Sequence, residues 1–193
     1  RWPPGTVGDL AFVRQQQLLD PFVERIRALR SGDLMIDLPV DLQLDQCRLV
    51  GRLGHRYEHV NLLYRDAELK GKDLLSALLH HLVANRLEPR TTVLLSIDDQ
   101  LVLTPDMAEA EFLAQWLDLF RRGLHQPDAF FVEAALAYVK QAYKLKKGSR
   151  SSKSPLDAAR ECLAQACDQP YEPELRRLYA HATDSSAILA DSF

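Results

Sequence analysis

The sequence has few cysteines, no long apolar run and no excess of basic charge. Its three cysteines are an odd number without metal-ligand spacing, which argues against a cysteine metal site and fits a reducing compartment. No apolar run approaches the roughly 18 residues of a membrane span, so we expect neither a span nor a signal peptide. The net charge of −3 excludes a broad basic field for autonomous DNA binding, so any such contact should be local and aided by partner subunits.

Length and composition are those of a globular protein. The 193 residues suffice for one sizeable core or two small ones, and 47% of them are hydrophobic against 26% charged. Because the first residue is Arg1 and not methionine, we expect a domain of a larger protein. The basic stretch KLKKGSRSSKS predicts a flexible linker over residues 144–154, with a DNA clamp as the alternative. This divides the chain into a core over residues 1–143 and C-terminal helices over residues 155–193 that pack on the same domain.

Apolar periodicity predicts a mixed α/β fold. Strict alternation from Ile36 to Leu44 indicates a strand with one wet face, and Pro39 makes it an edge strand. The next segments predict a three-stranded meander whose more apolar third strand is central, and a second hairpin follows around Asp98 and Asp99. The predicted strands cover residues 36–44, 47–57, 60–65, 91–97 and 101–103.

Helical spacing of apolar residues fills the rest of the chain. Asp20 and Pro21 resemble a helix start, so we expect a break or kink within the first helix. Val139 is expected to face inward on the helix that starts near Asp128. The predicted helices cover residues 9–30, 73–87, 104–120, 128–143, 155–167 and 172–180. Together these patterns predict an α/β domain with a mixed sheet flanked by helices and a C-terminal helical annex.

A motif with chemical meaning lies at the centre of the meander. The segment Gly51-Arg52-Leu53-Gly54 is followed fourteen residues later by Glu68-Leu69-Lys70. This resembles nucleases of the PD-(D/E)xK type, in which a strand carrying Gly-x-Ile-Asp leads to a second strand ending in Asp-or-Glu-x-Lys. In those nucleases the two carboxylates hold a divalent metal. Gly54 stands where the first carboxylate is expected.

The loss at Gly54 removes half of the metal site. Mg²⁺ prefers oxygen ligands and usually needs one or two protein carboxylates beside the substrate phosphates. Glu68 could supply one ligand, and Lys70 could stabilise charge on a phosphate. We therefore expect no catalytic residue, no metal site and no cofactor in this domain. The alternative is an active nuclease that recruits another carboxylate, from Asp45, Glu58 or Asp66.

Histidines and cations complete the candidate residues. His80 and His81 are adjacent on a helix and project about 100° apart, so they cannot grip one metal, and packing is the expected role. Arginines on the wet face of the second strand could meet a phosphate backbone, or could form ion pairs on a solvated surface. The candidate DNA-binding residues are Arg48, Arg52, Arg56, Arg65, Lys70 and Lys72.

Five short segments of the sequence form a further pattern: the opening Pro3-Pro4-Gly5, Gly51-Arg52-Leu53, the run Leu69-Lys70-Gly71-Lys72-Asp73-Leu74-Leu75, His81-Leu82 and the amphipathic helix around Trp116. These segments resemble the C-terminal domain of the exodeoxyribonuclease V gamma subunit, RecC. The resemblance extends from about residue 3 to residue 180, and its motifs are patterned and not catalytic.

The resemblance implies a restriction-endonuclease-like fold that has lost its catalytic set. It implies a domain of the RecBCD helicase-nuclease in the bacterial cytoplasm, with RecB-type and RecD-type subunits and double-stranded and forked DNA as partners. The expected role is strand separation and subunit assembly in double-strand break repair and recombination. Glu68-x-Lys70 is a part of the nuclease motif that this chain retains, contrary to a complete loss of the catalytic residues. On the following helix active relatives carry Gln and Tyr, where this chain has Leu78, Leu79, His80 and His81. A protein-interaction module without DNA contact is the remaining alternative.

Overall fold

Mixed small sheets flanked by helices make this an α/β protein, as the sequence predicts, in a form compatible with a nuclease-like α/β fold. The computed structural model describes residues 4–30, 32–44, 47–107, 110–126, 130–148 and 152–168. Two compact units divide the chain: the first lies within Arg1–Leu69 and Asp73–Gln115, the second within Lys70–Lys72 and Trp116–Phe193. The division at residue 143 stays a prediction.

The first unit begins with helix α1 (Thr6–Leu29), which continues through Pro21. The predicted break at this point is wrong. A proline inside a helix loses one backbone hydrogen bond and costs about 3 kcal/mol. Here the turns after Pro21 bury Phe22 and Ile26 in a core cluster with Tyr57, Val60, Leu62, Val93 and Leu95. Tertiary packing therefore outweighs the local preference for a break.

Strands β1 (Leu38–Leu44) and β2 (Cys47–Leu53) form an antiparallel hairpin. The predicted alternation is confirmed in its main part, because Val40 is buried while Pro39 lies on the wet face. Ile36 precedes the strand and is exposed. The predicted turn residues 45 and 46 lie outside the described residues.

The second sheet has the order β3 (Val60–Tyr64), β4 (Thr91–Leu95), β5 (Gln100–Leu103). β3 is parallel to β4, and β4 is antiparallel to β5. The predicted meander is wrong, because β2 ends at Leu53 and only an isolated Arg56–Asn61 bridge continues toward β3. The central strand is β4, whose last four residues are all buried, and not β3. The parallel pair requires a crossover, which contains helix α2 (Gly71–Leu87).

The remaining helices are α3 (Ala110–His125), preceded by a short 3₁₀ turn, α4 (Val132–Lys146) and α5 (Pro155–Asp168). Within the second unit α4 packs against α5, and Gln141 Nε2 donates to the Lys153 carbonyl at 2.8 Å. Because Ala134 and Gln141 form the buried face of α4, Val139 is exposed, contrary to the prediction. The predicted linker is helical as far as Lys146, and the predicted helix over residues 172–180 lies outside the described residues.

One carboxylate joins three segments of the first unit. Glu88 accepts hydrogen bonds from Arg56 and Arg90, whose side chains are only 8% and 9% exposed. Arg90 also donates to the carbonyls of Tyr57 and Glu58, and Arg56 donates to the Ile36 carbonyl at 3.1 Å. The hydrogen bond from Arg90, with the attraction of both guanidinium groups, holds the pKa of Glu88 below its usual value. Glu88 is therefore the shared counter-charge of two guanidinium groups that are largely buried.

A buried histidine on α2, His81, is held in its neutral form. His81 is fully buried; its Nε2 donates to the Thr104 carbonyl at 3.1 Å, so Nδ1 accepts from the Thr92 hydroxyl at 2.9 Å. Burial lowers the pKa of His81, against the opposite effects of the Thr104 carbonyl and Asp106. The packing role predicted for His81 is thus what the structure has.

We expect Glu88→Gln to lower the free energy of unfolding by about 2 kcal/mol, because two buried arginines lose their counter-charge. Since the folded-state pKa of Glu88 is depressed, its stabilisation is present above the ordinary value of 4.5 and is lost as pH falls below it. Urea unfolding over a pH series measures both effects. The control is Glu24→Gln, which removes an exposed ion pair with Arg27 and should change little. Equal losses in the two variants would contradict this account.

The free energy of unfolding should also fall as pH drops below 6.5, the ordinary histidine value. The folded-state pKa of His81 is lowered, so the unfolded chain binds the proton first and protonation favours unfolding. His81→Gln should reduce this dependence to the part that His80 contributes, since burial lowers the pKa of His80 as well. Denaturant unfolding of both proteins checks this, with exposed His125→Gln as the control. A constant stability below pH 6.5 would contradict it.

Candidate nucleic-acid interface

A pocket of about 240 Å³ lies in the first unit, where β3 ends beside the first turns of α2. Its apolar wall consists of Leu63, Ala77 and Leu94, and its polar lining of His55, Tyr64, Arg65, Asp73 and Ser76. Leu63, Tyr64 and Arg65 come from the end of β3, while Asp73, Ser76 and Ala77 recur at helical spacing on α2. The motif positions Gly54 and Glu68 lie before and after β3 in the sequence and are not among the residues that line the pocket.

Two aromatic rings stand at this pocket. The rings of His55 and Tyr64 meet edge to face, with centroids 6.0 Å apart and an interplanar angle of 84°. His55 has φ 57, in the left-handed region that residues other than glycine rarely adopt. Hydrogen bonds on either side of the turn hold it there, from Leu62 N–H to the His55 carbonyl at 2.9 Å and from Tyr57 N–H to the Val60 carbonyl at 2.8 Å. The backbone therefore directs the His55 ring toward Tyr64.

Arg65 and Asp73 form an ion pair in the pocket wall. Their side chains are 29% and 18% exposed, and the Arg65 N–H donates to the Leu95 carbonyl at 2.9 Å. One helical turn beyond the pocket, His80 has a buried Nε2 without a hydrogen-bond partner in the described part of the chain. Burial lowers the pKa of His80, and the nearby His55 and His81 lower it further. The pocket therefore has a donor and an acceptor, joined in an ion pair, beside the rings of His55 and Tyr64.

The described residues do not fit a divalent metal. Gly54 provides no ligand atom, and a Cβ added there would lie 3.1 Å from Asp37 Oδ1. Glu68 is exposed in the loop between β3 and α2, four residues beyond the end of the strand. Among the described ranges no group of three or more histidine, cysteine, aspartate and glutamate residues is able to hold a metal. No metal-dependent step is therefore derived from this site.

Arg48 and Arg52 lie on the exposed face of β2, as the alternation predicts. Arg48 makes a bidentate pair with Asp41 across the hairpin, at 2.7 Å and 2.6 Å. This pair lowers the pKa of the exposed Asp41 carboxyl. No hydrogen bond or ion pair within the described residues involves the Arg52 guanidinium. Arg52 is thus the cation of this face with the greater capacity for a phosphate.

The other candidate cations have different surroundings. The prediction that Arg56 shares the exposed face is wrong, because β2 ends before it and its guanidinium is buried against Glu88. Lys70 and Lys72 are exposed and belong to the second unit. There the Glu133 carboxylate accepts from the backbone N–H groups of Gly71 at 2.9 Å and Lys72 at 3.3 Å. The Glu133 carboxylate therefore occupies two of the donors at this helix start that a phosphate would otherwise use.

Sequence reasoning missed four members of this pocket. Tyr64, Ser76 and His55 belong to no motif in the sequence, and Asp73 occurs only within the run of residues 69–75 that carries the family resemblance. The feature that brings the rings of His55 and Tyr64 together is the positive φ of His55, and no residue pattern in the sequence predicts it. The helix predicted to begin at Asp73 starts at Gly71, and Asp73 pairs with Arg65 from its first turn.

Fold and site together define an α/β domain compatible with a nuclease-like fold, whose described residues do not form a metal-binding cluster. The chain matches the family of the RecC C-terminal domain over residues 1–143, and it belongs to that family. RecC is a subunit of the RecBCD complex, exodeoxyribonuclease V, which acts in DNA repair. No curated protein is a significant match to the chain. No helix among the described residues is long and apolar enough to cross a membrane.

Removal of Arg52 and removal of Arg56 should affect different properties, DNA binding in the first case and stability in the second. Arg52→Ala is expected to leave stability unchanged and to reduce by about 0.9 the slope of log affinity for forked DNA against log salt, because one phosphate contact is lost. Arg56→Ala should instead destabilise the fold, since Glu88 loses a buried partner. Fluorescence anisotropy over a salt series and urea unfolding measure the two properties. An unchanged slope in the Arg52 variant would remove this residue from the interface.

Proposed function

We propose that this domain acts without catalysis in a RecC-type subunit, where it assists strand separation and assembly with RecB-type and RecD-type subunits. It acts in double-strand break repair and recombination, and it binds forked or double-stranded DNA. The observation that carries the proposal is Gly54, which stands at the first carboxylate position of the nuclease motif. Without that carboxylate the exposed Glu68 is a single ligand, which is half of the carboxylate pair that holds the metal in nucleases of this type.

The charge and the exposed apolar residues of the chain support a role that depends on other subunits. The net charge of −3 provides no general attraction to DNA, and the exposed cations of β2 form a small local patch. Apolar side chains are also exposed on the first turns of α1, where Val7, Leu10 and Leu18 are 67%, 66% and 67% accessible. Exposed apolar residues at helical spacing are typical of surfaces that other proteins cover. We infer that partner subunits supply most of the DNA affinity and hold this domain in place.

The proposal predicts that the chain does not cleave DNA. Forked duplex incubated with the 193-residue chain and Mg²⁺ or Mn²⁺ should stay intact, while binding should be weak and fade as salt concentration rises. Gel analysis of end-labelled strands measures cleavage, and anisotropy measures binding in the same samples.

Glu68→Ala distinguishes an active metal-dependent nuclease from contaminating nuclease activity, and the control variant is Glu111→Ala at an exposed residue. Metal-dependent cleavage that is lost only in Glu68→Ala would establish an active nuclease and end the proposal. Stable binding to partner subunits, with no salt-dependent DNA affinity in the chain or in the assembled complex, would point to a pure interaction module.

A further inference from the structure

We propose that the pocket between the end of β3 and α2 receives an unpaired nucleobase of the separated DNA strand. This inference rests on the proposed function and names the part of the DNA that the site would bind. The pocket has about 240 Å³ of space and lies wholly within the first unit. A base is flat, apolar on its faces and polar at its edge, and each of these properties has a counterpart in the lining.

The rings of His55 and Tyr64 are the stacking surface. Both residues are exposed, Tyr64 by 45%, although aromatic side chains gain most from burial. Within the described residues no hydrogen bond engages the Tyr64 hydroxyl or the His55 ring nitrogens. A left-handed histidine costs free energy, and such outliers persist where the surrounding structure enforces them. An aromatic side chain held in this way at a pocket is suited to stack on a base, a contact worth about 1–3 kcal/mol.

The ion pair of Arg65 and Asp73 is the polar edge of the pocket. Arg65 is a hydrogen-bond donor and Asp73 an acceptor, and Ser76 is able to act as either. The Watson–Crick edge of every base carries at least one donor and one acceptor, so this lining accepts any base with little discrimination. An apolar wall of Leu63, Ala77 and Leu94 excludes water from the base faces. The expected ligand is therefore a base read by shape and stacking, and not a specific sequence.

Arg52 places a phosphate contact close to this pocket. It lies three residues before His55, which corresponds to roughly 10 Å of extended chain. A cation beside an aromatic surface is the usual combination for binding a single strand, because the guanidinium holds the backbone while the ring holds the base. A scissile phosphate is the less suitable occupant, since no metal cluster is present among the described residues.

Photo-crosslinking in the assembled complex tests this directly. Forked DNA carries 5-iodouracil at one position at a time along both unpaired arms and is bound by the complex of RecB-type, RecC-type and RecD-type subunits. Irradiation joins the modified base to an aromatic side chain in contact with it, and peptide mapping identifies the residue. We expect one position, or two adjacent positions, to crosslink to Tyr64 or His55, whatever the flanking sequence.

Tyr64→Leu should lower the yield of that crosslink at least about fivefold, because it removes the stacking surface. The matched control is Tyr143→Leu, which removes a tyrosine of similar exposure (57%) from the second unit and should leave the yield unchanged. His55→Asn keeps a residue that tolerates the left-handed backbone and should also lower the yield. Thermal unfolding of each variant checks that the fold is retained.

The outcomes distinguish this inference from the proposed function. A complex that unwinds forks while no iodouracil position crosslinks to residues 55–65 would overturn the pocket and leave the proposed function intact. A crosslink whose yield is unchanged in both Tyr64→Leu and His55→Asn would also overturn it. Metal-dependent cleavage that requires Glu68 would instead overturn the non-catalytic function, whatever the crosslinks show.

Discussion

The first unit depends on one carboxylate that two buried arginines share. Glu88 is partly accessible to solvent, yet it binds Arg56 from the segment after β2 and Arg90 from the segment before β4. Arg90 in turn holds the carbonyls of Tyr57 and Glu58, and Arg56 holds that of Ile36. Buried charges without partners are costly, so the ionised form of Glu88 stabilises the attachment of these segments. The turn that carries His55 therefore has fixed ends.

This constraint shapes the candidate site. Because the backbone from Arg56 to Glu58 is anchored, the left-handed turn at His55 is imposed on the chain between β2 and β3. The turn ends the first sheet and starts the second, and it brings the His55 ring against Tyr64. Gly54, just before this turn, contributes no carboxylate, and the space beside the strand end is lined by rings and an ion pair.

Local patterns predicted most elements well. β1, the second hairpin, α2 and α5 lie close to their predicted bounds, because each depends on neighbours a few residues away, whereas β2 ends four residues early at Leu53. Predictions failed where a distant contact decided the result. Pro21 stays inside a helix because Phe22 and Ile26 reach the core, and β3 leaves the meander because it pairs with β4 across the crossover. The buried Arg56 looked like its exposed neighbours Arg48 and Arg52, since nothing in the sequence marks Glu88 as its partner.

The sequence by itself determined the family, the α/β class and the loss at Gly54, because these follow from residue identity and short-range periodicity. The net charge of −3 also follows from the sequence and provides no general attraction to DNA. Only the tertiary structure decided which arginines are buried, which strand is central and which side chains surround the pocket. Those results depend on pairings between residues far apart in the chain, such as Arg56 with Glu88, and the free energy of such a pair depends on burial that no local pattern contains.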